Sequence, residues 1–387
     1  MKNTIFALGS LAIAGLAFTA CSNDDNGKSE KQLVMENYAN IVYQNYKDAL
    51  TDAEELEAAI NTFTANPNQD SFDNAKTKWK EARETYGTTE AFRFANGPID
   101  ADDNGPEALL NAWPLDENFI DYVEDNGMVY NGGIINRTDL YPTLTKELLE
   151  TLNESGGEKT ISVGYHAIEF LLWGQDLTAP SAFLAGQRPY TDYTTALNAD
   201  RRKQYLNICA DLLTDHLTYL VDLWAPSGTY RATFLGMNEN VALTNMYLGI
   251  ATLAAAELPV ERMAVALNNR DQEDEHSCFS DNTHRDIIQN LQGIVNVYHG
   301  KYRDIEGASL ADLVKKANPE FYNNIEASIV NAQTKVNAMY IPFDYAISGG
   351  ASSVEGVKVA DAWKAIKNDF SVNLLSGSSA LGLAVNP

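Results

Sequence analysis

Gly164-Tyr165-His166-Ala167-Ile168-Glu169-Phe170-Leu171-Leu172-Trp173-Gly174 places two ionisable side chains in an otherwise apolar run. A helix that is apolar on nearly all sides is a buried helix. Gly174 suits its end, where a positive φ is needed. His166 and Glu169 are three residues apart and share one face of that helix, with ~5–6 Å between Cβ atoms. A carboxylate buried there needs a proton, hydrogen-bond donors, an ion pair or a metal. A structural His–Glu pair in a helical bundle and a functional site both satisfy that demand.

Outward from this stretch the pattern stays helical. Residues 32–65 repeat Val34, Tyr38, Ile41, Val42, Tyr46 and Leu50 at helical spacing, and Asn66-Pro67-Asn68 ends the run. A second helix is expected over 70–95, with Trp79, Tyr86, Phe92 and Phe94. Its charges, including Glu81 and Arg83, read as a solvated face. Glu90 and Arg93 fit that reading less well, because Phe92 and Phe94 flank Arg93. Short helices are expected at 115–124 and 142–153, the central helix at 160–173 and a long one at 197–224. The second half gives helices at 238–268, bent near Pro259, then 284–302, 318–340 and 355–371. No stretch shows convincing strand alternation. The expected fold class is all-α, with two bundle-like halves, 32–226 and 227–387, whose similar plans suggest duplication.

The 387 residues include 53 acidic and 28 basic side chains, a formal charge of −25. Nucleic acid is excluded as a partner class, since phosphate binding needs clustered Lys and Arg. The charge fits a well-solvated surface that attracts cations. Lys2, the apolar run Ile5 to Ala20 and then Cys21 form a secretory leader. Phe18-Thr19-Ala20-Cys21 resembles a bacterial lipobox, which implies a signal peptide over 1–20, lipidation of Cys21 and a tether over 21–31. The expected location is the cell envelope, anchored by lipid to a membrane, with the outer membrane favoured. Cys209 reads as a buried thiol, and with Cys278 it does not define a disulfide framework.

The loop from Asp271 to Asp286 mixes His276, Cys278, Asp281, Asn282, His284 and Arg285. A charge run is ordinarily a solvated loop, and this mixture argues for more. Arg285 is a candidate to pair with Glu169, and Thr283 with Asp286 reads as a helix-start pair. His166 and Glu169 are candidate metal ligands, with Glu90, Arg93, Asp281, His284 and Arg285 as further pocket candidates. An imidazole–carboxylate set suits zinc or iron. The spacing is not that of the zinc proteases, and Phe170 stands where the inverted protease motif has its second His.

Gly164-Tyr165-His166-Ala167-Ile168-Glu169 matches the Gly-x-His-x-x-Glu motif of the imelysin family. Asp271 to Asp286 resembles that family's second signature. Thr89 to Phe94, Gly97-Pro98-Ile99-Asp100 and Asn111 to Asp116 are similar to further imelysin segments. The resemblance spans nearly all of the chain after the leader. It implies an all-helical, two-domain envelope protein associated with iron uptake, with iron-uptake components or a metal-bearing ligand as partners. It carries metal ligation over to His166 and Glu169. The family's name also implies a metallopeptidase with a composite metal site, and a helical interaction scaffold is the third reading.

Overall fold

The computed structural model describes residues 27–387, so the leader and Cys21 lie outside the described residues. Helix α1 (Glu30–Ala65) starts at Ser29, whose hydroxyl and Gln32 form a reciprocal cap. After the Asn66-Pro67-Asn68 break, α2 (Gln69–Thr89) packs along α1. Helix α3 (Gly164–Trp173) carries the His–Glu motif and is buried at every position. It sits between α2 and α4 (Ala199–Trp224), which also runs along α1. For α1 and α4 the expected and found boundaries agree within about two residues, because each is set by a continuous apolar stripe.

The second half is joined to the first through α5 (Glu239–Thr252), which touches α1, and α6 (Thr283–His299), which packs on α2. Gly293 lets α6 approach α2 closely: a Cβ there would stand 2.4 Å from the carbonyl oxygen of Thr88. Helix α5 continues as a π-helical stretch, Leu253–Ala264, that contains Pro259. The ring has no N–H to give, and the wider register accommodates it without breaking the rod. Helix α7 (Pro319–Asn337) packs on α8 (Val354–Ala365) and α9 (Ser371–Ala380), and α8 and α9 reach the π-helical stretch. One apolar core runs through all of these elements.

Departures from expectation are local. Helix α2 stops at Thr89, and Glu90–Phe92 tighten into a single 3-10 turn. Phe94 and Asn96 then take positive φ, which turns the chain away. The 115–124 region is one helical turn, Glu117–Ile120, followed by a hairpin of β1 (Val123–Asp125) and β2 (Met128–Tyr130). A second small hairpin pairs β3 (Lys301–Tyr302) with β4 (Ile305–Glu306). Among the described residues these short hairpins are the strands, so the protein is all-α. Cys209 and Cys278 are both buried and free.

Candidate functional site

Helix α3 is held at both ends. Gly164 has φ +88, and a Cβ there would stand 2.6 Å from the carbonyl oxygen of Leu110. That close approach and that backbone conformation both favour glycine. Trp79 Nε1 on α2 donates to the carbonyl of Tyr165 at 2.9 Å. The Tyr193 hydroxyl donates to the carbonyl of Leu171 at 2.5 Å. Gly174 closes the helix at φ 70 and ψ −169, a positive φ as expected but an extended ψ in place of the left-handed turn.

The motif side chains meet on the buried face. Glu169 Oε2 lies 2.9 Å from His166 Nδ1. Its other oxygen accepts from the Ser280 backbone N–H at 3.0 Å and the Ser280 hydroxyl at 2.7 Å. Burial pushes the Glu169 carboxyl up to about 8, against the opposing pull of Ser280. Burial, and then the Arg83 guanidinium, lowers the His166 imidazole to about 3. Near neutral pH both members are therefore uncharged: the carboxyl O–H on Oε2 donates to Nδ1, and the imidazole's own proton sits on Nε2. His166 Nε2 is buried and has no hydrogen-bond partner.

A second dyad faces the first. His276 Nδ1 lies 2.9 Å from Asp286 Oδ2, and the Ser277 hydroxyl donates to the same oxygen at 2.5 Å. Arg83 donates to Asp286 Oδ1 from Nε at 3.2 Å and Nη2 at 3.0 Å. Burial opposes the charge on Asp286, but Arg83 and His276 outweigh it and hold the carboxyl well below its ordinary range. Burial, followed by Arg262, brings the His276 imidazole down to about 3. A neutral His276 beside an ionised Asp286 carries its proton on Nδ1, leaving Nε2 as a bare acceptor. The His166 and His276 rings meet edge to face, 4.6 Å between centroids and 78° between planes. Trp113 packs on His276 at 5.4 Å and donates from Nε1 to the carbonyl of Glu275 at 2.7 Å.

Arginines tie this centre to the surface. Arg83 Nη1 donates to Asn111 Oδ1 at 2.6 Å, and Asn111 Nδ2 donates to Glu90 Oε1 at 3.2 Å. Arg262 donates to Glu90 Oε2 at 2.6 Å and also to Asn290. Burial works against the Glu90 charge, yet Arg262 and Arg93 hold its carboxyl at about 2. Arg93 lies 3.1 Å from Glu107, whose carboxyl burial raises to about 7. Arg93, Glu107, Trp113, Glu257, Arg262 and His276 line a cavity of about 310 Å³, with Glu154, Glu158 and Glu261 also on its wall. A larger groove of about 470 Å³ lies elsewhere, beside Pro98, Asp100 and Tyr230.

The structure thus brings the second signature onto the first, through Ser280 and His276. It disperses three of the expected pocket residues. Arg285 does not reach Glu169; it pairs with Glu84 at 2.5 Å on a part-exposed face. His284 turns back to the carbonyl of Asp281 at 3.2 Å. Asp281 joins Asp176 and Asp344 in a separate acidic cluster. Thr283 and Asp286 do not cap α6: the Thr283 hydroxyl accepts from the Ser277 N–H at 3.0 Å, and Asp286 serves the dyad. The residues missed are Arg83, Asp286 and Arg262. Arg83 looked solvent-facing beside Glu81, and Asp286 mimicked a helix cap. A signal for Arg262 existed: the one basic residue in the mostly apolar stretch Leu253–Ala264, three residues after a proline.

The imelysin family model matches residues 42–370. The iron-regulated protein A of Synechococcus elongatus is 22% identical over 387 residues, spanning 97% of this chain and 94% of its own length. Among solved structures, an iron-regulated protein A precursor from Parabacteroides distasonis superposes with a TM-score of 0.68 at 20% identity, covering 91% of this chain and 95% of its own. An imelysin-like protein from Psychrobacter arcticum gives a TM-score of 0.62 at 14% identity, covering 92% and 97%.

Proposed function

The chain belongs to the imelysin family, and from that premise we propose that it binds a metal ion, or a small ligand carrying one, at the paired imidazoles His166 and His276. The observation that carries this reading is the buried, unpartnered Nε2 of His166, with a second imidazole 4.6 Å away whose Nδ1 likewise meets a carboxylate. Metal-bound histidines ordinarily give their other ring N–H to a carboxylate, which fixes the tautomer and raises ligand basicity. Asp286 is placed to do this for His276 as it stands, and Glu169 would do it for His166 once a metal displaced the Nε2 proton and the carboxyl proton moved to Nδ1. Both Glu169 oxygens are already engaged, so its part is to orient His166, and the ligand set moves from His166 with Glu169 to His166 with His276. Two imidazoles suit iron or zinc, and the iron-regulated relative favours iron. An external ligand would complete the coordination. The acidic wall of the cavity at His276 supports the approach of a cation.

Within this reading the protein handles iron at the cell envelope, held by lipid on Cys21 and facing partners in iron uptake. Loss of acylation in Cys21→Ser, read by mass spectrometry of the membrane fraction, tests the anchor. For the site, the purified chain is titrated calorimetrically with ferrous iron and with zinc. His166→Ala and His276→Ala should each abolish saturable binding while leaving the helical circular-dichroism spectrum in place. Binding that survives both substitutions overturns the proposal.

A further inference from the structure

Glu275 is fully buried with both carboxyl oxygens short of well-formed hydrogen bonds, the Thr283 hydroxyl being the donor that acts on it. Two other buried carboxylates in the same region are left short as well. Asp176 is 3% exposed and Asp344 is 2% exposed. Oδ2 of Asp176 and Oδ1 of Asp344 are buried without a partner. These residues come from three distant parts of the chain: the segment after α3, the loop before α6 and the short helix Phe343–Ser348. Asp281, half-buried at φ 55, closes the group toward solvent.

The geometry is that of a ligand set. One carboxylate oxygen each from Asp176, Asp281 and Asp344 lies within 4.8 Å of the others. Calcium binds oxygens at roughly 2.3–2.6 Å, so two of its ligands stand up to about 5 Å apart. Magnesium at roughly 2.1 Å draws its ligands in to about 4.2 Å and demands near-ideal octahedral geometry. An all-oxygen, all-carboxylate set without imidazole or thiolate is the choice of a hard cation. Such charges are not buried together without compensation, and Lys80 acts on Asp281 alone among the three aspartates.

We propose that Asp176, Asp281 and Asp344, with Glu275 beside them, form a calcium site that pins the end of α3, the loop before α6 and the Phe343–Ser348 turn together. The electrostatics agree. Burial, then Asp344 and Asp176, raises the Asp281 carboxyl to about 7. Burial raises Asp344 to about 6. A bound dication reverses that penalty and leaves the carboxylates ionised. The site is separate from the imidazole pair, although Ser280, which holds Glu169, is next to Asp281 in sequence.

The test uses the purified chain after EDTA treatment and dialysis. Calorimetric titration with calcium chloride at pH 7.5 should show saturable binding, and the same calcium should raise Tm. Asp281→Asn with Asp344→Asn should weaken the affinity by at least tenfold and remove the Tm rise. Without calcium, the same double variant should melt higher than the wild type, because it relieves repulsion among buried carboxylates. His166→Ala, which removes an imidazole outside the aspartate cluster, should keep saturable calcium binding. Absence of saturable binding to the wild type overturns the proposal, and the carboxylates then hold protons instead. An unchanged calcium response in the double variant also overturns it, by placing the ion elsewhere on the acidic surface.

Discussion

The loop between residues 275 and 286 serves two buried centres that solve the same electrostatic problem in opposite ways. On one side, His276, Ser277, Ser280 and Asp286 join a network in which Arg83, Arg262 and Arg93 face the acidic groups. Asp286 and Glu90 stay ionised there, well below their ordinary range, and both imidazoles stay neutral. On the other side, Glu275 and Asp281 meet Asp176 and Asp344, and all four carboxyls are pushed up. Burial opposes charge in both centres. Fixed guanidinium groups decide the first, and their absence from the described ion pairs of the second leaves it responsive to pH and to cations. Glu169 sits between the two regimes: its donors are neutral hydroxyl and amide groups, and its carboxyl rises to about 8.

The largest effect should come from breaking the arginine-compensated centre. Asp286→Asn leaves Arg83 as a buried charge without its carboxylate partner and should cost about 3–5 kcal/mol of stability, measured by urea unfolding. Asp281→Asn, in the other centre and without added calcium, should be neutral or stabilising in the same assay. Equal losses in the two variants would erase the distinction between the centres.

Glu169→Gln keeps the shape of the first centre and removes the carboxylate that would accept the Nδ1–H of a metal-bound His166. Metal affinity at His166 should fall by about 10–100-fold, read by titration with zinc or ferrous iron, with the helical spectrum unchanged. An unaltered affinity would mean that Glu169 does not orient His166.

A smaller effect is expected in the pH dependence of Tm. Glu169 is raised from 4.5 to about 8, so its protonated form favours the folded state, and that stability is lost as pH rises through about 8. His166 and His276 are lowered from 6.5 to about 3, so their contribution is present above 6.5 and lost as pH falls toward 3. The His166–Glu169 pair alone therefore gives a plateau between about 4.5 and 6.5, with losses on both sides. Glu169→Gln should flatten the alkaline loss and leave the acid one, which His276 sustains. A profile unchanged by the substitution would refute the assignment.

The smallest expected signal is proteolysis. Glu169 has one oxygen on Ser280 and the other on His166, leaving neither placed to take a proton from a water. Incubation of an unfolded protein substrate with the chain and zinc should give no cleavage above a chelated control. Chelator-sensitive cleavage that disappears in Glu169→Gln would reinstate the peptidase reading.

Much of the architecture was legible because helices announce themselves within a short span. The stripes of α1, α4 and α6 repeat every three to four residues, and each needs only an apolar neighbour to be buried. The burial of His166 and Glu169 was legible for the same reason, from the apolar residues around them. Less legible were the ends of elements, as at Glu90, where the ion pair with Arg262 fits a 3-10 turn in place of continued helix. Least legible were the partners. Arg83 and Asp286 are 203 positions apart and fully buried together, yet locally one resembles a surface charge and the other a helix cap.

The sequence by itself determined an all-helical chain of the imelysin family, with a histidine and a glutamate on a buried helix face and an acidic, histidine-bearing loop set apart from it. The tertiary structure decided that Glu169 bonds both His166 and Ser280, that His276 and Asp286 form a second dyad, and that Asp281 and Arg285 belong elsewhere. The physical reason is range. Apolar periodicity is a property of neighbouring residues, whereas the fate of a buried charge depends on which distant side chains packing brings within about 3 Å of it.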